Sequence, residues 1–320
     1  MRNIGKIKET VLNRSVIKPI EQYKAGLERG ASTGSDCAFF SHSAIAVSQV
    51  AYKDSRACEH AIVQACNNVW AGSARPQVIT LSISMPDSYR EIRLKEIMKQ
   101  ACETAVKLDV KIAAGHTEYV GGITYPVITV NAIGEPRGEQ RESKPADIVM
   151  TKWAAISGTA IIAQENRKKL ETRLPRYYVE DAIELGQFTS VAPEAAIASE
   201  AKGTIAMHDV AGGGIFTALW ELGEKLGMGC RVMLEDIPIR QESIEVCEYF
   251  DINPYRLRGD GSMLIVTDDP EGLTERLHSE NIHAKVIGQM TNCIDRVVIR
   301  GDETRFLEPA NGDELMSVMW

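Results

Sequence analysis

Residues 207–232 read Met-His-Asp-Val-Ala-Gly-Gly-Gly-Ile-Phe-Thr-Ala-Leu-Trp-Glu-Leu-Gly-Glu-Lys-Leu-Gly-Met-Gly-Cys-Arg-Val. The apolar run Gly203–Met207 predicts a strand, the amphipathic spacing predicts a helix over about 214–227, and Cys230–Leu234 returns to strand. Strand, small-residue loop, helix and strand in succession make an α/β unit. Gly212, Gly213 and Gly214 let the backbone approach a ligand closely and expose N–H groups at a helix N-terminus, which is an anion site. Asp209 beside them suits Mg²⁺ bridging to phosphate oxygens. The same residues also make a tight strand-to-helix turn capped by Asp209. The spacing matches neither G-x-G-x-x-G nor G-x-x-x-x-G-K-[ST], so a Rossmann or P-loop site is not indicated.

The second half continues this alternation. Strands are expected at Asp147–Thr151, Met263–Thr267, Ala284–Gly288 and Arg296–Arg300, with helices near 157–185, around 241–250 and at Pro270–Ser279. The first half opens with a polar, helix-like arm over 1–30 that ends at Gly26 and Gly30, followed by a small-residue loop entering an apolar strand that continues through Ala44–Val50 after a turn. A helix over Cys58–Val69, a strand Val78–Met85, an amphipathic helix over 91–108, a short strand Val110–Ala113, a loop Gly115–Gly122 and a strand Tyr125–Ile133 complete it. Between Gly134 and Ala146 apolar residues thin out, marking a linker and domain junction. The division expected is 1–145, with the arm 1–30, and 146–320.

Bulk properties are ordinary. At roughly 150 residues per domain, 320 residues make about two. Hydrophobic residues are 44% and charged residues 25%, close to the globular average, which excludes disorder and fibrous repeats. The net charge of −8 offers no general attraction to nucleic acid or an anionic membrane, although a metal or helix N-terminus can hold phosphate locally. No apolar run reaches the length of a membrane span and no signal peptide is present, so a cytoplasmic protein is expected. Seven scattered cysteines without a CxxC pair fit reduced, partly buried thiols.

Three further constellations carry chemistry. In Ala114-Gly115-His116-Thr117-Glu118-Tyr119, His116 and Glu118 lie two apart on extended chain and so share a face, as a metal-binding or polar pair or as part of a surface loop. Gly34-Ser35-Asp36 offers an acid at the end of a glycine-bearing loop, or an Asx turn. Asn67 and Asn68 follow a helix, where paired amides either contact ligand or cap it. Lys152 follows the first strand of the second half and is read as a phosphate contact or a surface residue.

Taken in order, these pieces resemble the aminoimidazole-ribotide synthetase-like superfamily over nearly the whole chain. The matching pieces are GSDCAFF (34–40), NNVWAGSARP (67–76), AGHTEY (114–119), ITVNAIGE (128–135), DIVMTKWAAISGTAIIA (147–163), the 207–232 stretch, IPI (237–239), GDGSMLIVT (259–267) and VIGQMT (286–291). GHTE and the closing SML and IG pieces are most similar to the synthase-related and hydrogenase-maturation type E branch.

The resemblance implies an α/β (α+β) two-domain fold, with an N-terminal sheet that forms a barrel across a homodimer and a C-terminal α/β sandwich domain. It also implies ATP and Mg²⁺, phosphoryl transfer to or activation of a small-molecule substrate, and a link to hydrogenase or other metalloenzyme maturation. Residue by residue it places catalysis on Asp36, His116 and Asp209, metal binding on Asp36, Glu118 and Asp209, and cofactor contacts on Asn67, Asn68, Thr117, Lys152, Gly212, Gly213 and Gly214.

Two positions depart from the family pattern: Gln49, or Ser48 in a shifted register, and Asn68 stand where acids are expected. Neutral amides bind Mg²⁺ less strongly than carboxylates. The sequence ends Ser317-Val318-Met319-Trp320 with Cys293 its last cysteine, so the carbamoyl dehydration of type E maturation proteins, which uses a terminal cysteine, is not expected. The alternative function is a catalytically degenerate nucleotide-binding or scaffold homodimer.

Overall fold

The structure is a computed structural model and describes residues 4–21, 23, 27, 28, 30–137, 141–309 and 311–319. Gly26, residues 138–140 of the expected junction and Trp320 lie outside them. The chain forms two compact units, one of Gly26–Gly30 with Asp36–Arg137, the other of Met1–Ala25, Ala31–Ser35 and Gly138–Trp320. The sequence reading set the arm with the first half, whereas its described residues 4–21 group with the second.

The arm is a helical run, α1 (Glu9–Leu12), a π-helical turn Asn13–Ile17 and α2 (Lys18–Glu21). Pro19 lacks an N–H and its ring crowds the carbonyl one turn back, and the wider π turn just before α2 accommodates it.

In the first unit, β1 (Ala38–Phe40) and β2 (Ser43–Val50) are an antiparallel hairpin, where the sequence suggested one interrupted strand. Ser41 and His42, with φ of 47° and 63°, make the two-residue turn in the left-handed conformation that matches strand twist. Next come α3 (Ala57–Ala71), β3 (Ala74–Pro86), α4 (Glu91–Lys107), β4 (Lys111–Val120) and β5 (Val127–Pro136). The sheet order is β1-β2-β5-β3-β4, with β5 antiparallel to both neighbours and β4 parallel to β3 through the crossover α4.

Alternation along β2 sends Ala46 and Val50 inward, joined by Leu81, Ile83, Ile128 and Val130 against Ile62, Ala65 and Val69 of α3, all buried. Each large aliphatic side chain so buried contributes roughly 1.5–3 kcal/mol. The other face is open: Ile45 is 40% and Val47 59% exposed. Within the chain this sheet is not closed, since β1 and β4 are its two edges.

The second unit is built on a seven-stranded sheet ordered β12-β11-β8-β10-β6-β9-β7. In chain order it comprises β6 (Asp147–Thr151), α5 (Ile156–Glu165), α6 (Arg167–Leu170), α7 (Arg176–Glu184), α8 (Ala192–Glu200), β7 (Thr204–Val210), α9 (Gly214–Leu226) and β8 (Gly229–Met233). Then follow α10 (Gln241–Phe250), β9 (Ser262–Thr267), α11 (Pro270–Ser279), β10 (Ala284–Thr291), β11 (Arg296–Arg300), β12 (Glu303–Phe306) and α12 (Glu314–Met319).

All neighbouring strands are antiparallel except β11 and β8. Ile215, Leu219 and Leu222 of α9 pack on Ile148, Leu264, Val266 and Val232 of the sheet, the core that holds the glycine loop in place. The sequence pattern missed α8, β12 and α12. The alanine-rich α8 is short and has no clear apolar stripe, and β12 is exposed at every residue, so it has no alternation to read.

No helix among the described residues is long and apolar enough to cross a membrane. All seven cysteines are free; Cys37, Cys58, Cys66, Cys230 and Cys247 are buried. Burial pushes the thiols of Cys58, Cys66 and Cys247 up to about 12, which keeps them protonated and inert.

Candidate functional site

The predicted residues divide between the two units. In the first, Asp36 is half-buried in the loop entering β1. Asn67 and Asn68 lie inside the last turns of α3, not after it; Asn67 is fully buried and the Asn68 carbonyl accepts from Gly72 N–H at 3.2 Å.

His116, Thr117 and Glu118 stand on a strand. The expected short strand and loop are one ten-residue β4, because residues 114–120 continue the parallel register against Thr80–Pro86 and so satisfy their backbone. Gly115 belongs to that pairing: a Cβ there would meet the Leu81 carbonyl oxygen at 2.5 Å. The side chains of His116 and Glu118 share a face with Nε2 and Oε2 3.6 Å apart, and both are well exposed.

On β2 the register is resolved. Gln49 faces the open side and donates from Nε2 to Thr129 Oγ1 at 2.9 Å, while buried Ser48 turns inward and its Oγ donates to the Ala61 carbonyl. Gln49 therefore occupies an outward position without bringing a charge to it.

In the second unit the glycine loop closes the end of β7. Gly213 and Gly214 have φ of 84° and 68°, and a Cβ on Gly214 would meet the Tyr255 and Leu257 carbonyl oxygens at 2.6 and 2.7 Å. Glycine is required here both by the left-handed backbone and by the close approach of another chain segment.

Asp209 is a buried residue of β7 beside buried His208, and the N-cap position of α9 is Gly213. The acid at the helix N-terminus is Asp313, whose Oδ2 accepts from Gly213 N–H at 3.2 Å. The Gly214 N–H goes to the Ala211 carbonyl at 3.1 Å and the Phe216 N–H to the Tyr255 carbonyl at 3.2 Å. Burial pushes the Asp313 carboxyl up, and the Arg258 charge pulls it back only in part.

Arg258 itself is buried and paired with Asp260 at 2.8 Å, and Ser157 Oγ donates to Asp260 Oδ2 at 2.5 Å. A cavity of about 730 Å³ opens beside Gly213, with Phe216, Arg256, Arg300, Arg305 and Asp313 on its walls. Asp313 and the Arg258–Asp260 pair escaped the sequence reading. The Gly-Asp-Gly of residues 259–261 is the only local signal for the latter.

Lys152 faces inward. Its Nζ donates to the carbonyls of Phe188, Ser190 and Gly261 at 3.1, 2.6 and 2.9 Å and lies 2.8 Å from Glu194 Oε1. These oxygens account for its three N–H groups, so the reading as a phosphate contact or surface residue gives way to that of a buried pin.

Among the described residues, no three His, Cys, Asp or Glu side chains converge closely enough to hold a metal ion. Asp36 and Glu118 lie in the first unit and Asp209 in the second. Mg²⁺ commonly takes one or two carboxylates and completes its shell with phosphate oxygens and water, so this donor set suits a metal that arrives with a nucleotide better than a resident one.

Comparison with known proteins adds to the geometry. Residues 31–135 match the model described as AIR synthase related protein, N-terminal domain, and residues 147–299 match AIR synthase related protein, C-terminal domain. A putative hydrogenase expression/formation protein of Methanocaldococcus jannaschii is 25% identical over 242 residues, 73% of this chain and 70% of that protein. A carbamoyl dehydratase HypE of Rhodobacter capsulatus is 23% identical over 240 residues, 72% and 68% respectively. Among solved structures, the hydrogenase maturation protein HypE in complex with ATP superposes with a TM-score of 0.65 at 17% identity, covering 97% of this chain and 96% of the other. At that identity the likeness is one of fold.

Proposed function

Because the chain belongs to the AIR synthase related protein family, we propose that it is an ATP- and Mg²⁺-dependent enzyme that transfers a phosphoryl group to, or activates, a small-molecule substrate, in the service of hydrogenase or other metalloenzyme maturation. The observation that carries this reading is the glycine loop: a left-handed Gly213–Gly214 turn opens the thirteen-residue helix α9, and a carboxylate sits on its N–H. A site that draws an internal carboxylate has the polarity to hold phosphate. The relatives among hydrogenase maturation proteins support the maturation context, and the fold shared with an ATP-bound protein supports the nucleotide.

In this reading the Gly212–Gly214 loop presents backbone to the phosphates and Asp209 offers oxygen to the cation, while Asp36, His116, Thr117 and Glu118 are candidate polar groups of the first unit. Bound Mg²⁺ would supply charge neutralisation. The residues' own work is positioning, which is most of what phosphoryl transfer asks of a protein. The open face of the first sheet, with Ile45 and Val47 exposed, is the surface for a homodimer whose paired sheets make a barrel.

The second reading, a nucleotide-binding scaffold without turnover, is favoured by Gln49: a neutral amide bonded to Thr129 stands where an acid is expected. An ADP-release assay over a panel of carbonyl, amide and phosphate substrates separates the two. Mg²⁺-dependent turnover lost in Asp209→Asn with the oligomer intact is the expected result; ATP binding without Mg²⁺ dependence and without turnover would establish the scaffold.

A further inference from the structure

The acid on the glycine loop comes from a segment one hundred residues further along the chain. Gly312, just before it, has φ of 92°, a left-handed conformation that favours glycine. The Gly312 N–H is held by the Lys6 carbonyl of the arm at 3.3 Å, and Gly5 packs against the Asp313 backbone. Beyond Asp313, its Oδ1 caps α12 by accepting from Leu315 N–H at 3.0 Å, and Leu315 and Met316 anchor that helix in the core. The other loop amides described above end on carbonyls of their own framework, whereas Gly213 is served by a side chain one hundred residues away.

That side chain also has reason to leave. Burial disfavours its ionised form, so rotating out to water returns solvation to the carboxylate. Asn311, Gly312, Asp313 and Glu314 form one wall of the 730 Å³ cavity, whose size is within the range of small-molecule sites, and movement of this wall opens the loop toward it.

The geometry points to an internal competitor: the segment Asn311–Glu314 places the Asp313 carboxylate where a ligand's phosphate would sit on Gly213, and a phosphate-bearing ligand binds this loop only by displacing it. The inference rests on the nucleotide reading above and adds to it a form of self-occlusion. The competition is between like charges for one N–H and one helix end, so removing the carboxylate strengthens phosphate binding.

The test is a titration of the full-length protein with ATP and Mg²⁺, comparing wild type, Asp313→Ala and Glu308→Ala, with hydrogen–deuterium exchange on the wild type. Glu308 removes an equal charge from the same cavity wall without touching Gly213. The expected result is about 5- to 10-fold tighter ATP binding in Asp313→Ala, little change in Glu308→Ala, and faster exchange in residues 311–319 of the wild type when ATP is added. If alanine impairs folding, Asp313→Asn retains an oxygen for the α12 cap, and the wild-type exchange experiment stands by itself. Equal affinities with residues 311–319 still protected under ATP, or the same gain from Glu308→Ala, would overturn the competitor while leaving the nucleotide reading in place. Absence of ATP binding by every variant would overturn the nucleotide reading and the competitor with it.

Discussion

Lys6 Nζ and Glu221 Oε1 lie 2.7 Å apart although 215 residues separate them in sequence. The pair straps the arm to α9, and His208 Nε2 stands 3.5 Å from Glu221 Oε2 on the inner side. Burial by itself would raise the Glu221 carboxyl, but the Lys6 charge and the hydrogen bonds from His208 and Lys6 outweigh it and hold the group below the ordinary glutamate range. A carboxyl with a lowered folded pKa adds stability that is complete above the ordinary range and disappears as pH falls through the lower folded value. Urea midpoints measured between about pH 7 and about pH 3 should therefore fall less steeply at the acid end in Glu221→Gln than in wild type. Parallel curves would show that the strap contributes nothing to acid sensitivity.

Lys152 supports a different expectation. Its ammonium is spent on Glu194, which is fully buried, and on three carbonyls, with Lys152 itself at φ of 53°. Removing it leaves a carboxylate in the core with Thr151 Oγ1, 3.2 Å from Oε1, as a remaining donor. Lys152→Ala should cost about 3–5 kcal/mol in chemical denaturation, the loss typical of a buried pair deprived of one partner. Nucleotide affinity of the folded fraction should be unchanged. A stable variant with weakened ATP binding would return Lys152 to the phosphate site.

What could be read in advance follows the range of the interactions. The helix α11 matched its expected bounds Pro270–Ser279 because its signals are local: proline at the first position, and Asp269 whose side chain accepts from Gly272 N–H. The glycine loop was legible for the same reason, since three glycines between an apolar strand and an amphipathic helix specify the turn. His116 and Glu118 share the face that their spacing on extended chain predicts, and what differs is that the strand runs on where a loop is expected over Gly115–Gly122. Gly115 and the polar run suggested a loop, and only pairing with β3 extends the strand through Val120. Asp313 was out of reach altogether, because nothing in a polar stretch near the end of a sequence states which distant amide it will meet.

The glycines themselves differ in ways that a substitution can measure. Gly214 and Gly227 have almost the same φ, 68° and 66°, but a Cβ on Gly227 meets nothing within 4 Å, whereas one on Gly214 runs into two carbonyls. Gly227→Ala should cost about 1–2 kcal/mol, the price of a left-handed alanine. Gly214→Ala should cost clearly more, because backbone must shift as well. Equal losses in thermal or urea unfolding would mean that the loop gives way freely.

The open sheet face allows the proposed dimer to be tested without disturbing the core. Val47 is 59% exposed on β2, beside Ile45 and in register with Asn131 of β5. Val106, on α4, is 82% exposed and lies on a helix rather than on the sheet. A charge at either position meets water in the isolated chain and should change its stability by no more than about 0.5 kcal/mol. If two sheets pair through this face, Val47→Glu places two desolvated carboxylates in the interface, and light scattering should find a monomer that retains wild-type circular dichroism, while Val106→Glu remains a dimer. A Val47→Glu protein that is still dimeric would move the interface elsewhere. Loss of the dimer in both variants would point to general charge repulsion, because only one of the two residues lies on the sheet.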